Sequence, residues 1–363
     1  MHVLLVSPCN QVLMPYLRNY EEILERNGIS YDLIYWDRFS VTETERENYH
    51  CLHCHAPGSS GLLSGLMGYL RFRSFFISQH KLILQKHPDT VVICLNTQSA
   101  VLLTLELRRR HYMLDVRDYT HEGCAPYRYL ANRMMRKALL IAISSEGFRT
   151  WLQPGLDYVA THNVCKSELC RVPVSWPTHR IRISCIGAIR NASDNIAFMD
   201  ALYATPDGVE TDEFADLYFI GYGVGDSESA LQEHCHKRGY ERVHFIGRYR
   251  PEEAARFYEE CHFVLGIYGC DTLFERTLTP NRFYQAAIHR RPIIVSEGTY
   301  LAELVRKHGL GIVFKGDGIA LRKEIVRYND ADIRRTFNAN CKRFLEQVGR
   351  DLDSFERQLL SRD

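Results

Sequence analysis

Residues 277–314, TLTPNRFYQAAIHRRPIIVSEGTYLAELVRKHGLGIVF, constrain the fold more than any other stretch of the chain. Thr279 followed by Pro280 predicts a helix start, with Thr279 as the N-cap and Pro280 at the first helical position, where a missing N–H costs nothing. The backbone amides of Asn281, Arg282 and Phe283 are then unpaired donors, a setting that favours a phosphate. The helix continues through Phe283, Ala286 and Ala287 to Arg291-Pro292 and gives way to residues 292–296, an apolar β-branched run of the kind that fills a buried parallel strand. A second helix, 301–307, ends at Gly309. Helix, buried strand, helix is half of a doubly wound unit, and such sheets bind ligands beyond the carboxyl ends of their strands. Any α/β domain contains such units, so at this point the stretch argues for a fold class and leaves phosphate binding and plain architecture as two open readings.

The 363 residues suffice for two domains with a core each. Lys and Arg number 45 against 44 Asp and Glu, so bulk charge gives no reason to expect a nucleic-acid partner. Twelve cysteines fall short of disulfide-scaffold density and lie scattered in apolar runs, among them Cys94, Cys185 and Cys261, which predicts reduced thiols in a cytoplasmic protein. The opening MHVLLVSPCN has a short apolar run without a basic leader and reads as a first strand. No segment reaches the roughly 20 apolar residues of a membrane span.

In the first half, strand, helix and strand are predicted over 3–6, 15–26 and 31–35, but Ser7-Pro8-Cys9-Asn10 stands where a dinucleotide fold would carry its glycine fingerprint, which argues against a Rossmann dehydrogenase. Cys51-Leu52-His53-Cys54-His55 matches a haem-attachment string and half a zinc site; without a second paired cluster the expected reading is a solvated loop. Residues 62–77 alternate large apolar side chains with Arg71 and Arg73, as on a helix lying against a lipid surface, with core burial as the competing reading. Strands follow at 90–95, 112–116 and 139–144, helices at 99–110 and 129–138, a short helix at 148–152 and a strand at 158–163. The strand 112–116 runs into Arg117-Asp118-Tyr119-Thr120-His121-Glu122, a polar turn at a carboxyl end and so on the ligand side. Residues 166–180 read as a linker. The second half restarts with strands at 181–187, 217–221, 243–246 and 263–267 and helices near 197–203 and 251–260, and Gly221-Tyr222-Gly223-Val224-Gly225 reads as a tight turn or a close backbone approach to a ligand.

Taken in order, Cys185-Ile186-Gly187-Ala188-Ile189-Arg190, Phe219-Ile220-Gly221-Tyr222-Gly223, Phe245-Ile246-Gly247-Arg248-Tyr249, Pro280-Asn281-Arg282-Phe283-Tyr284, Arg291-Pro292-Ile293-Ile294-Val295-Ser296 and Gly309-Leu310-Gly311 resemble the donor-binding domain of GT-B glycosyltransferases, specifically the family-four-like group of bacterial capsule and exopolysaccharide assembly. The first half is similar to that group's acceptor domain through Leu114-Asp115-Val116-Arg117-Asp118 and Ala142-Ile143-Ser144-Ser145. The resemblance implies an α/β GT-B fold, two doubly wound Rossmann-like domains facing across a cleft: an acceptor domain over 1–165, a linker over 166–180, a donor domain over 181–340 and a closing helix over 341–363 that packs back on the first domain.

It also implies a retaining, metal-independent hexosyltransferase that moves a sugar from a nucleotide diphosphate, UDP or GDP, to a lipid-linked or saccharide acceptor, with the nucleotide sugar as co-substrate rather than a resident cofactor. Such chemistry needs fixed positive charge and oriented N–H donors at the leaving diphosphate. Arg190 and Arg282 match the group's basic positions, Arg282 standing where lysine is usual. Gly187, Gly221, Gly223, Arg248 and Asn281 complete the implied donor site. Gln285 replaces a glutamate that the group uses on the ribose, and Thr277 replaces a second one, with Glu275 close enough to substitute. Asp118 is the expected general base, with Arg117 placed to orient it and His121 and Glu122 as runners-up. Two other functions stay open: an epimerase or hydrolase of the same fold, and a non-catalytic nucleotide-sugar binder. The implied setting is the cytoplasmic face of the inner membrane, with peripheral contact through 62–77.

Overall fold

The computed structural model describes residues 2–41, 43–55, 62–172, 174–204 and 213–361; the side chains of 62–64 and Pro173 of the linker lie outside that description. The chain divides into two compact units, one of Met1–Lys166 with Arg350–Asp363, the other of Ser167–Gly349. Each is a parallel sheet with helices between its strands.

In the first unit the strands are β1 (His2–Ser7), β2 (Ser30–Asp37), β3 (Tyr49–His53), β4 (Thr90–Cys94), β5 (Tyr112–Val116), β6 (Ile141–Ile143) and β7 (Val159–Ala160), in the order β3-β2-β1-β4-β5-β6-β7. β1, β4 and β5 are buried along their whole length, which is why they read as mostly apolar runs, interrupted only by the buried His2, Ser7 and Asp115 and by Thr90. Their two faces feed separate cores, one around Trp36, Phe72, Phe76 and Phe148, the other around Tyr20, Leu24, Phe355 and Leu359. Phe355 and Leu359 come from the last helix, Ala331–Leu360, whose residues from Arg350 onward belong to this unit.

Several local expectations need correction. Cys51-Leu52-His53 is not loop but edge strand β3, paired in register with β2. The helix expected over 62–77 extends over Leu62–Lys86; it buries Phe72, Phe76 and Ile83 and leaves Leu66, Met67, Leu70 and Ile77 exposed. The helix expected over 99–110 is two short ones, Thr97–Leu102 and Thr104–Leu107, and the short one at 148–152 is a 3-10 turn over Glu146–Thr150. Among the described residues no helix is long and apolar enough to cross a membrane.

The second unit holds β8 (Arg182–Ile189), β9 (Asp216–Gly223), β10 (Val243–Gly247), β11 (Phe263–Gly266), β12 (Ile293–Ser296) and β13 (Gly311–Phe314), in the order β10-β9-β8-β11-β12-β13. Gly221 and Gly223 are therefore inside β9 and do not form the tight turn expected after it. Gly221 is glycine for a steric reason: at φ +143° a Cβ there would sit 1.9 Å from the Gly187 carbonyl oxygen on β8. The helix Tyr300–His308 ends, as expected, on Gly309 in the left-handed conformation.

Candidate functional site

The strand order of the second unit reverses between β8 and β11, the position at which doubly wound sheets take ligands beyond their strand ends. Three segments meet there: the end of β8 with Gly187, Arg190 and Asn191, the loop after β11 with Tyr268 and Gly269, and the start of the helix Asn281–Ile288.

That helix begins one residue later than the capping pattern suggests. Pro280 is itself the N-cap, with extended backbone at φ −76° and ψ 154°, and no side chain caps the end. The Phe283 amide already donates to the Pro280 carbonyl at 3.0 Å, so the open donors are the amides of Asn281 and Arg282 and not all three. The Asn281 side-chain oxygen is buried without a hydrogen-bond partner.

Arg282 is 6% exposed and turns away from this end into the sheet. Its Nη1 donates to the Leu265 carbonyl at 3.0 Å and to Cys185 Sγ at 3.1 Å, and its Nη2 donates to the Ala188 carbonyl at 2.7 Å, with the guanidinium 5.0 Å above the Tyr268 ring. It bridges β8 and β11 without a carboxylate partner among the described residues. Arg190 is the opposite case. It is half-buried at the end of β8, 5.9 Å over Phe274, with no hydrogen bond or ion pair to its guanidinium among the described residues, so its charge is available to an anion.

The turn that carries Arg190 is held by residues that the motifs did not single out. Asn191 adopts φ 52° and ψ 72°, a left-handed conformation that asparagine tolerates better than most side chains. Its amide donates to the Tyr268 carbonyl and to Glu275 Oε1, the latter at 2.6 Å. Asn195, almost wholly buried, donates to the carbonyls of Arg190 at 2.8 Å and Asn191 at 3.0 Å. An Arg-Asn step between a buried strand and a helix was the available signal for this turn. Glu275 is engaged at both oxygens, since Oε2 caps its own helix by accepting the Thr272 N–H at 2.9 Å. Burial opposes the ionised form of Glu275, but the Thr272 amide and Asn191 outweigh it and hold the carboxyl below its usual range. Asp194, just beyond Asn191, is pushed the other way by burial and by Asp271 and Glu275.

The remaining expected residues are distributed more widely. Gly187, at φ +103°, faces Arg282 Nη2, 3.6 Å from where a Cβ would be. Gly223 leaves room for Glu228, whose carboxylate accepts the Gly223 N–H at 3.1 Å. Arg248 is exposed after β10, stacked 4.7 Å over Tyr222. Gln285, one turn into the helix, donates to Glu168 Oε2 at 3.0 Å. Asp118 lies in the first unit, exposed just beyond β5. Arg117 does not turn toward it: the guanidinium is buried on Asp115 of β5, with Nε to Oδ2 at 2.7 Å, and donates to Asn163 at 2.9 Å. Glu122 is buried, accepting the Thr120 N–H at 2.6 Å and the Thr97 hydroxyl at 2.9 Å, while His121 is exposed. Among the described residues no group of three or more His, Cys, Asp or Glu is arranged to hold a metal ion.

No family model matches the chain, and no curated protein is similar to it in sequence. Solved structures are similar in fold along the whole chain. Sucrose-phosphate synthase from Thermosynechococcus elongatus superposes with a TM-score of 0.74 at 13% identity, covering 100% of both chains. A glycosyltransferase from Rickettsia africae gives 0.66 at 11% identity, over 99% of this chain and 97% of that one. HepE of Anabaena, solved in complex with UDP-glucose, gives 0.65 at 14% identity, over 99% of each. Two parallel sheets with the strand orders above, matched end to end by such proteins, give this chain the GT-B fold of two Rossmann-like units.

Proposed function

We propose that the chain is a glycosyltransferase that moves a sugar from a UDP- or GDP-linked donor to the hydroxyl of a lipid-linked or saccharide acceptor in cell-surface polysaccharide assembly, with retention and without a metal. The observation that carries this reading is the corner at the ends of β8 and β11, where the open amides of Asn281 and Arg282 and the unpaired charge of Arg190 converge on a GT-B fold. In this reading the diphosphate lies against those amides and Arg190, and Arg248 and Gln285 extend the donor subsite. The acceptor oxygen bonds to the anomeric carbon as the sugar–phosphate bond breaks. The nucleoside diphosphate leaves with the bonding electrons, and Asp118 takes the acceptor proton.

The test is a panel of nucleotide sugars incubated with the full chain, followed for binding and for slow release of nucleoside diphosphate. Saturable binding of one donor with leakage hydrolysis supports transfer. Binding of none removes the proposal. A second reading, a nucleotide-sugar binder without turnover, is favoured by one feature: both oxygens of Glu275 are already engaged by Asn191 and Thr272. Binding without any released diphosphate in the presence of acceptor extracts would select it, and an altered sugar on the intact nucleotide would select an epimerase.

A further inference from the structure

Away from that corner, the first unit has a depression of about 440 Å³ between the helix Leu62–Lys86 and the segment Thr104–Leu107 with the residues just after it. We propose that it is a second small-molecule site and takes a hydroxylated phosphate monoester of monosaccharide size. Two polar atoms of its lining are buried without a partner, His80 Nε2 and Glu106 Oε2. Buried polar groups ordinarily have a hydrogen-bond partner, and here two that lack one line the same depression. His80 is only 7% exposed, and the other oxygen of Glu106 is held by Arg73 at 2.5 Å, so neither group is a loose surface side chain.

The charges around them narrow the ligand. Lys81 and Arg110 line the same depression and have no ion-pair partner among the described residues, so the site favours an anion, and the guanidinium fork suits a phosphate. A metal cation would suit Glu106 but would meet two uncompensated positive charges. Inorganic phosphate alone would suit the cations but leave Glu106 Oε2 facing like charge. Glu106 requires a donor, which a sugar hydroxyl supplies. Burial, with Arg110 adding to it, lowers the His80 pKa to about 4 against the opposing effect of Glu106, so at neutral pH the ring is uncharged and offers one hydrogen bond at Nε2. Ile77 and Leu84 supply apolar surface for the C–H face of a sugar ring. Both residues line the depression although their unpaired atoms are buried, and the terminal torsions of carboxylates and imidazoles are soft enough to turn toward a ligand.

Titration calorimetry on the full chain at pH 7.5, with glucose 6-phosphate as the probe and inorganic phosphate and glucose as controls, tests this. Glucose 6-phosphate is expected to bind at least about tenfold more tightly than either control. Arg110→Gln and Lys81→Gln, both surface changes that leave the fold intact, should each weaken it by about tenfold or more, while Arg190→Gln leaves it unchanged. Equal binding of inorganic phosphate reduces the site to an anion patch and overturns the proposal. So does the absence of binding, which makes an ordered water the partner of His80 and Glu106, or a loss caused by Arg190→Gln, which moves the binding to the second unit.

Discussion

Arg190 and Arg282 lie in the same corner and differ in what removing each would disturb. Arg282 holds two buried backbone carbonyls on adjacent strands, and replacing it leaves both without a donor at a cost of about 1–3 kcal/mol each. Arg282→Gln should therefore lower the melting temperature by several degrees. Arg190→Gln should leave melting within about 0.5 kcal/mol of wild type and weaken nucleoside diphosphate binding by at least about tenfold. Equal melting of both variants would remove the structural assignment of Arg282. Asp118→Asn belongs to the same scale: turnover should fall by about 100-fold or more while donor binding holds, and unchanged turnover would remove Asp118 from the mechanism. Arg117 shows why its partner was misjudged from sequence. Arg117, just past the end of β5, continues the strand's alternation, so its guanidinium meets Asp115 two residues back and Asn163 instead of pairing with Asp118. That alternation was readable at 112–117, but adjacency to Asp118 looked like the stronger cue.

At the scale of elements, buried strands were the most legible feature, because β4 is β-branched or apolar along its whole length, β12 breaks that pattern only at its last residue, Ser296, and β5 only at Asp115, which is buried against Arg117. Glycine was the least legible. Gly221 and Gly223 resemble turn residues in sequence, yet they sit in β9 and are glycine because Gly187 on β8 and Glu228 in the following helix leave no room for a Cβ, and for Gly221 that neighbour is far away in the chain. The corner helix starts within a residue of the expected place, and the Phe283 amide drops out of the expected donor set because a tight i→i−3 bond to the Pro280 carbonyl takes it. The helix Leu62–Lys86 carries a separate prediction. Its exposed Leu66, Met67, Leu70 and Arg71 form a surface with the character of an interfacial helix, so anionic vesicles should sediment the protein more than neutral ones, and Leu66→Ser with Leu70→Ser should abolish the difference. Identical sedimentation with both vesicle types would sink it. The last helix makes a second. Ending the chain after Gly349 removes Phe355 and Leu359 from the first unit's core and the Arg26–Glu356 pair from its surface, a loss on the order of 5 kcal/mol or more. Rapid protease cleavage within the first unit should follow, and an unchanged cleavage rate would show that those side chains contribute little.

The whole molecule has an acid limit that is set by histidines rather than carboxylates. Burial, reinforced by nearby arginines, lowers the pKa of His80 and His262 to about 4 and that of His289 to about 3; His179 also acts on His262, while Glu106 opposes the shift at His80. Each binds its proton more readily in the unfolded chain, where the value is near 6.5. Their contribution to stability is therefore complete above about pH 6.5 and is lost as the pH falls toward 4, at up to about 1.4 kcal/mol per unit for each ring. The depressed carboxylates act in a lower window. Burial opposes the Asp32 anion, but hydrogen bonds from His2 and His50 outweigh it, so its contribution persists until the pH drops below about 4. Because His80 lies in the first unit and His262 and His289 in the second, both units should weaken over the same interval. Melting followed by circular dichroism should fall steadily from pH 6.5 to pH 4.5. His289→Phe, which keeps the stack on Tyr258 at 5.1 Å but removes the titrating ring, should flatten that slope. A melting temperature constant between pH 7 and pH 5 would show that these rings take up protons without unfolding either unit.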